Sequence, residues 1–210
     1  MSRRRSIGLA LVAAFAFSAV AVASAEPPDE YEYSGAAGTT FTGKQLATQK
    51  FKTNAGTVEC KKAKYEGVVP ATKKSTTAKV KYTYSECEVP GIGSATVENK
   101  GCEYEFLEPI DNEPETGDKV HHGKVSVISE AGKTCETVIT AVTCKVTVKA
   151  QSSLEKVTAT NNKPAAGNSE ITPEVKGITY TDSSFCPGGA GTFTNGEYTG
   201  KNEVTGVLIN

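Results

Sequence analysis

Few residues in this chain are equipped for chemistry, and their spacing narrows what they can do. The only two histidines, His121 and His122, are adjacent within KVHHGKVSV. That stretch reads as a strand, and neighbours on a strand point to opposite faces, so the pair cannot readily share one metal ion. One of the two is expected in solvent. A hydrolytic triad would need one of these histidines beside an activated serine, and the sequence has no G-x-S-x-G elbow. Gly91-Ile92-Gly93, inside CEVPGIGSATVENKGC at residues 87 to 102, lacks the third glycine and the Lys-Ser/Thr of a phosphate loop. Pro90-Gly91 reads instead as a turn between two strands.

The six cysteines are Cys60, Cys87, Cys102, Cys135, Cys144 and Cys186. Zinc clips space their cysteines two to four residues apart, whereas the nearest pair here, Cys135 and Cys144, has eight residues between them. Disulfides are the expected use, which also leaves no free thiol for a catalytic nucleophile. Sequence leaves 15 pairings open. Short loops favour Cys60 with Cys87 and Cys135 with Cys144, and elimination then gives Cys102 with Cys186.

Carboxylates gather in one place, EYEFLEPIDNEPETGD at Glu103 to Asp118. Asp111, Glu113, Glu115 and Asp118 are the candidate oxygen ligands for Ca²⁺, although the EF-hand pattern is absent and a solvated loop is the favoured reading. A glycosidase pair drawn from these acids is close to noise, because acids are scattered along the chain and no Trp offers a platform for sugar rings. No cofactor and no resident metal are expected. The densest aromatic group, Tyr82, Tyr84, Tyr104 and Phe106, falls at alternating positions, which favours core packing over a Tyr-lined sugar or peptide groove.

These residues must be held by strands. In TTAKVKYTYSEC, Ala78, Val80, Tyr82 and Tyr84 share one face while Lys79, Lys81, Thr83 and Ser85 share the other. The same alternation recurs in CEYEFLE and CKVTVKA. It places Cys60, Cys102 and Cys144 in phase with inward apolar residues. Turn signals separate the strands at NKG (99–101), EAGK (130–133), NNKPAAGNS (161–169) and CPGGAG (186–191). Thr and Val are abundant and Leu is scarce beyond the first 25 residues, and no amphipathic helical pattern persists. The expected fold is all-β, about ten short antiparallel strands forming a sandwich or an open barrel stapled by disulfides.

Arg3, Arg4 and Arg5 precede an apolar run and Ala23-Ser24-Ala25, the pattern of a signal peptide (1–25) cut between Ala25 and Glu26. Residues 26–38, rich in acids, Pro and Gly, read as a flexible leader. Residues 39–210 read as one β domain, with any division into two lobes placed near residue 130. Cleavage removes every arginine and leaves 20 lysines against 24 acids. A mildly acidic surface without the arginine fork argues against nucleic acid as a partner, and no membrane span is expected after the signal is removed.

YSECEVPGIGSATVENKGCEYEF, with the later GITYTDSSFCPGG and GTFTNGEYTG, resembles uncharacterised exported all-β bacterial proteins. The resemblance rests on cysteines, glycines and tyrosines and implies no activity. The combined reading is a secreted or cell-envelope protein, structural or binding, that acts through its surface without catalysis. The sequence leaves the partner open, with a cell-wall glycan or another surface protein as the candidates. A Ca²⁺-dependent carbohydrate-binding or adhesive module is the first alternative, and a secreted hydrolase is the second.

Overall fold

Five long antiparallel strands make the wall on which the rest is built, in a computed structural model that describes residues 30–107 and 120–209. They are β2 (Thr40–Thr53), β3 (Gly56–Val68), β5 (Ala78–Val89), β12 (Asn168–Asp182) and β13 (Gly191–Thr205), lying side by side in the order β5, β3, β2, β13, β12. Two sets of shorter strands close this wall into a barrel. Near the start of β5, β7 (Cys102–Phe106), β8 (Val120–Ser129) and β11 (Gln151–Asn161) bridge from β5 to β12, beginning with the pair Val80↔Tyr104. Near its end, β6 (Gly93–Lys100), β9 (Glu136–Ala141) and β10 (Cys144–Lys149) make the same crossing, from Cys87↔Ala95 to Val146↔Asp182. Each circuit contains eight strands, a number whose interior is just wide enough to be filled by side chains or to hold one small molecule.

The all-β expectation therefore holds, and the barrel is closed rather than open. Strands of 12 to 15 residues are long for a globular protein, and several bend through register shifts, as β2 does between Lys44 and Gln49. Such a bulge lets TTFTG (39–43) and QKFKT (49–53), two separate local strand patterns, join in the single strand β2. The inner face carries the alternating apolar residues. Outward positions carry cross-strand Lys–Glu pairs such as Lys50–Glu59, Lys79–Glu105 and Lys201–Glu170. This apolar-in, charged-out pattern is the reverse of a lipid-facing barrel wall. Among the described residues, no helix is long and apolar enough to cross a membrane.

The division near residue 130 does not describe the molecule. The interior holds two cores, one around Tyr65, Val80, Tyr82 and Val127, the other around Val58, Ile139, Val146 and Tyr180, and the second also takes Val125 of β8 and Val157 of β11. Both cores draw on the same five long strands, and the closing strands alternate along the chain, so no single cut separates them.

Part of the presumed leader is also structured. β1 (Tyr31–Tyr33) pairs with β14 (Val207–Ile209) on one side and β4 (Lys74–Ser75) on the other, and both tyrosines are buried. Tyr31-Glu32-Tyr33 is itself a two-residue alternation, too short to stand out beside the surrounding acids and glycines. Residues 1–29, with the signal and its cleavage point at Ala25 and Glu26, lie outside the described residues.

The cysteines pair as Cys60–Cys87, Cys102–Cys135 and Cys144–Cys186. The first agrees with expectation: the two residues are direct cross-strand neighbours on β3 and β5. The other two expected bonds are overturned. β9 and β10 form a hairpin in which Ala141 opposes Cys144, so Cys135 lies at its far end, roughly 20 Å away along the strand and beyond any disulfide's reach. Cys135 instead meets Cys102, because the β6–β7 junction packs directly on the β8–β9 turn: Gly101 accepts a hydrogen bond from Glu130 N at 2.9 Å. Cys102–Cys135 thereby ties the two closures at their common root. Cys144 takes Cys186, fastening β10 to the loop after β12.

Candidate functional site

Where the two cores meet, the barrel holds a cavity of about 90 Å³. Tyr84, Tyr104, Phe106, Leu154 and Ile171 pack against both cores and form this waist. Most of the cavity wall is aliphatic, including Val58, Val97, Val125, Ile139 and Val148. One side is polar, where Gln49, Tyr65, Tyr84, Tyr104, Tyr198 and Asn202 converge from β2, β3, β5, β7 and β13.

Period-two alternation turns each of these residues inward, and one glycine makes room for them. A Cβ on Gly200, which sits between Tyr198 and Asn202 on β13, would lie 2.0 Å from Gln49 Oε1. Any side chain there would expel the glutamine. Gln49, only 2 % exposed, is anchored by its amide, which donates to Ala47 O at 2.7 Å and Lys201 O at 3.3 Å. Its Oε1 accepts from Tyr198 at 2.6 Å and from Tyr65 at 3.4 Å. The Tyr198 hydroxyl lies 2.8 Å from that of Tyr84, which is 3.1 Å from that of Tyr104. The Tyr104 ring stacks on Tyr82 with centroids 4.0 Å apart, and the Tyr82 hydroxyl bonds to that of Thr137.

Burial dominates the electrostatics. It pushes the phenols of Tyr84, Tyr104 and Tyr198 well above their ordinary value, and neighbouring phenols raise them further because ionising one would disfavour ionising the next. Tyr65 is raised for the same first reason, and Tyr82 is pushed up to about 12. These phenols stay protonated at neutral pH. The cluster therefore supplies fixed hydrogen bonds and aromatic surface, with no general base poised near neutrality. Asn202, 5 % exposed, leaves its Oδ1 without a partner, a costly state for a buried acceptor.

The residues singled out from sequence fall elsewhere or take other roles. Asp111, Glu113, Glu115 and Asp118 lie outside the described residues. His121 and His122 occupy opposite faces of β8: His121 is buried within hydrogen-bond distance of Asn161, and His122 is exposed beside Thr158 Oγ1 at 3.2 Å. Gly91-Ile92-Gly93 spans the β5–β6 turn, where Ile92 N donates to Val89 O. Among the described residues, no three His, Cys, Asp or Glu side chains gather as a metal site. Tyr82, Tyr84, Tyr104 and Phe106 do point into the core, and they also line the cavity. Sequence reasoning missed Tyr65, Tyr198, Gln49 and Asn202. The two tyrosines carry the alternation signal in KAKYEG and GEYTG, but Gln49 and Asn202 sit among lysines, threonines and glutamates that face water.

Comparison with protein-family models, curated proteins and solved structures gave no match. The site's own chemistry is the guide to function.

Proposed function

We propose that this is an exported, non-catalytic binding protein whose barrel interior receives a small, mainly apolar ligand. The carrying observation is the one-sided cavity: aliphatic on most of its wall, with hydrogen-bonding groups converging on one side, as small-molecule sites are usually built. The volume sets the scale, since an apolar cavity of about 150 Å³ takes benzene. Scaled to the smaller cavity here, a ligand has about four heavy atoms. Three disulfides accord with an oxidising compartment outside the cytoplasm. Among the described residues, the exterior is tiled with paired lysines and glutamates and shows no comparable concentration of binding chemistry, which supports a site inside.

The test is a ligand-observed NMR and thermal-shift series on the purified protein with small hydrocarbons and alcohols, run beside cell-wall glycan fragments and Ca²⁺. The expected result is a response to the small apolar compounds that is lost when Val148→Phe fills the cavity. A protein that answers only to glycan or Ca²⁺ would sink this reading in favour of a surface module.

A further inference from the structure

Among the described residues, the barrel wall parts in two places, because β5 and β12 each belong to both circuits and lack a strand partner where the circuits diverge. On β5 the unpaired stretch is residues 81–86, between the pairs with β7 and with β6. Behind it the Tyr82 and Tyr104 rings stack, the Asn99 amide bonds Tyr82 O and Cys102 O, and Cys102–Cys135 ties the root. That parting is sealed. On β12 the unpaired stretch is residues 174–180, between the pairs with β11 and with β10. Its opposite bank, residues 152–156 of β11, is loosely held as well: towards β8 it pairs at Leu154 alone, with a register shift on either side. Ser152, Ser153, Glu155 and Lys156 are exposed, and Leu154 is half-buried. Both banks line the cavity, through Leu154 and Val157 on one side and Pro173, Val175 and Ile178 on the other. The exposed ion pair Lys156–Glu174, at 3.8 Å, spans the parting and contributes little. The Gln151 side chain does more, taking the place of a strand neighbour: its Nε2 donates to Thr179 O at 3.0 Å and its Oε1 accepts from Thr179 N at 2.8 Å.

Resting on the binding function argued above, we propose that this second parting is the entrance to the cavity, with Leu154 as its plug and Gln151 as its latch. Breaking the two Gln151 hydrogen bonds frees residues 152–156 to swing outward and carry Leu154 off the cavity. Segments with few ladder bonds open locally at small cost while the rest of the fold stays closed. No disulfide cysteine lies in either bank, so the three staples stay in place. The banks are aliphatic on the cavity side, which suits an apolar ligand on its way to the aliphatic wall. Gln151 does not line the cavity, so the latch sets how fast a ligand enters and leaves while the interior sets the affinity.

Xenon, which enters dry apolar cavities, is the probe, with its affinity read by titration and its entry and exit by xenon exchange NMR on the purified protein. In Gln151→Ala, exchange should be roughly tenfold faster than in wild type at unchanged affinity, the effect of releasing the latch's hydrogen bonds. The Thr179 amide should lose hydrogen-exchange protection in the same variant. Asn99→Ala, at the sealed parting, should leave the xenon rates as they are. Unchanged xenon rates in Gln151→Ala, or acceleration by Asn99→Ala instead, overturn the entrance and leave the cavity-binding function standing. Xenon binding to neither wild type nor variant overturns both. The Gln151→Ala comparison is complete in itself should the Asn99 variant fail to fold.

Discussion

The same five strands run through both halves of this barrel, yet its two ends are finished in different ways. At the end closed by β7, β8 and β11, a small sheet of β14, β1 and β4 lies over the opening, and a buried polar side chain locks it. Asn161, 3 % exposed, accepts from Ile209 N at 3.0 Å and donates to Ile209 O at 2.5 Å, standing in for a strand neighbour. Ser169 bonds both Asn161 Oδ1 and Val207 O. At the end closed by β6, β9 and β10, no such sheet is laid over the opening in the described residues. Turns and a disulfide-tied loop finish it, with Ile92, Val142 and Phe185 held out in solvent and Asp182 buried without a partner. Buried polar groups rigidify a fold where they are satisfied and weaken it where they are not.

The sharpest way to break this comparison is at the lock. Asn161→Leu keeps the volume but leaves the N–H and C=O of Ile209 without a partner in a buried site. The expected cost is about 3 kcal/mol, summed over two orphaned backbone groups. Urea denaturation measures it, and hydrogen exchange should show the Ile209 amide losing protection before the wall does. A variant as stable as wild type would mean that β14 is held by apolar contacts alone.

Much of this architecture was legible in the sequence, and the failures share a cause. Alternation in AKVKYTY and CEYEF gave both the strands and the inward tyrosines, because a half-buried strand writes its burial into every second residue. Cys60 and Cys87 could be paired because local chain closure and sheet register agree. Cys135 and Cys144 could not, since their short spacing spans a hairpin whose register separates them. Closure of the barrel depends on pairs such as Val146↔Asp182 and Val80↔Tyr104, set by three-dimensional register, and nothing in the local pattern announces them. The cavity's polar side was legible only in part: its tyrosines announce burial by their apolar rings, whereas Gln49 and Asn202 stand in phase with inward neighbours such as Phe51 and Tyr198 but are polar residues of a kind that usually faces water.

The second test lies at the opposite end. Asp182 is 2 % exposed with both carboxylate oxygens unbonded, and burial raises its pKa. A carboxyl that ionises more readily in the unfolded chain than in the folded one destabilises the fold as pH rises. The penalty is absent below the unfolded value near 3.9, grows as pH rises from there toward the raised folded value, and is complete above it. Asp182→Val should therefore gain about 2 kcal/mol at pH 7, with the gain shrinking toward zero near pH 3. Thermal melts of both proteins across pH 3 to 8 give the difference directly. A gain independent of pH would show that shape rather than charge limits this end.

The smallest effect concerns the β9–β10 turn, where Val142 has φ of +55° and is 73 % exposed. A two-residue hairpin loop favours left-handed backbone, which glycine and asparagine adopt cheaply and a β-branched residue does not. The strain relieved by Val142→Gly is about 1–2 kcal/mol, and the added freedom of the unfolded chain returns about half of it. A net gain of about 0.5–1 kcal/mol in chemical denaturation is expected. Val142→Asn separates the two contributions, since asparagine tolerates the same backbone without glycine's extra freedom, and it should gain at least as much. If both variants instead lose stability, the valine contributes packing within this end that outweighs its backbone strain, and the contrast between a locked end and a loosely finished one narrows accordingly.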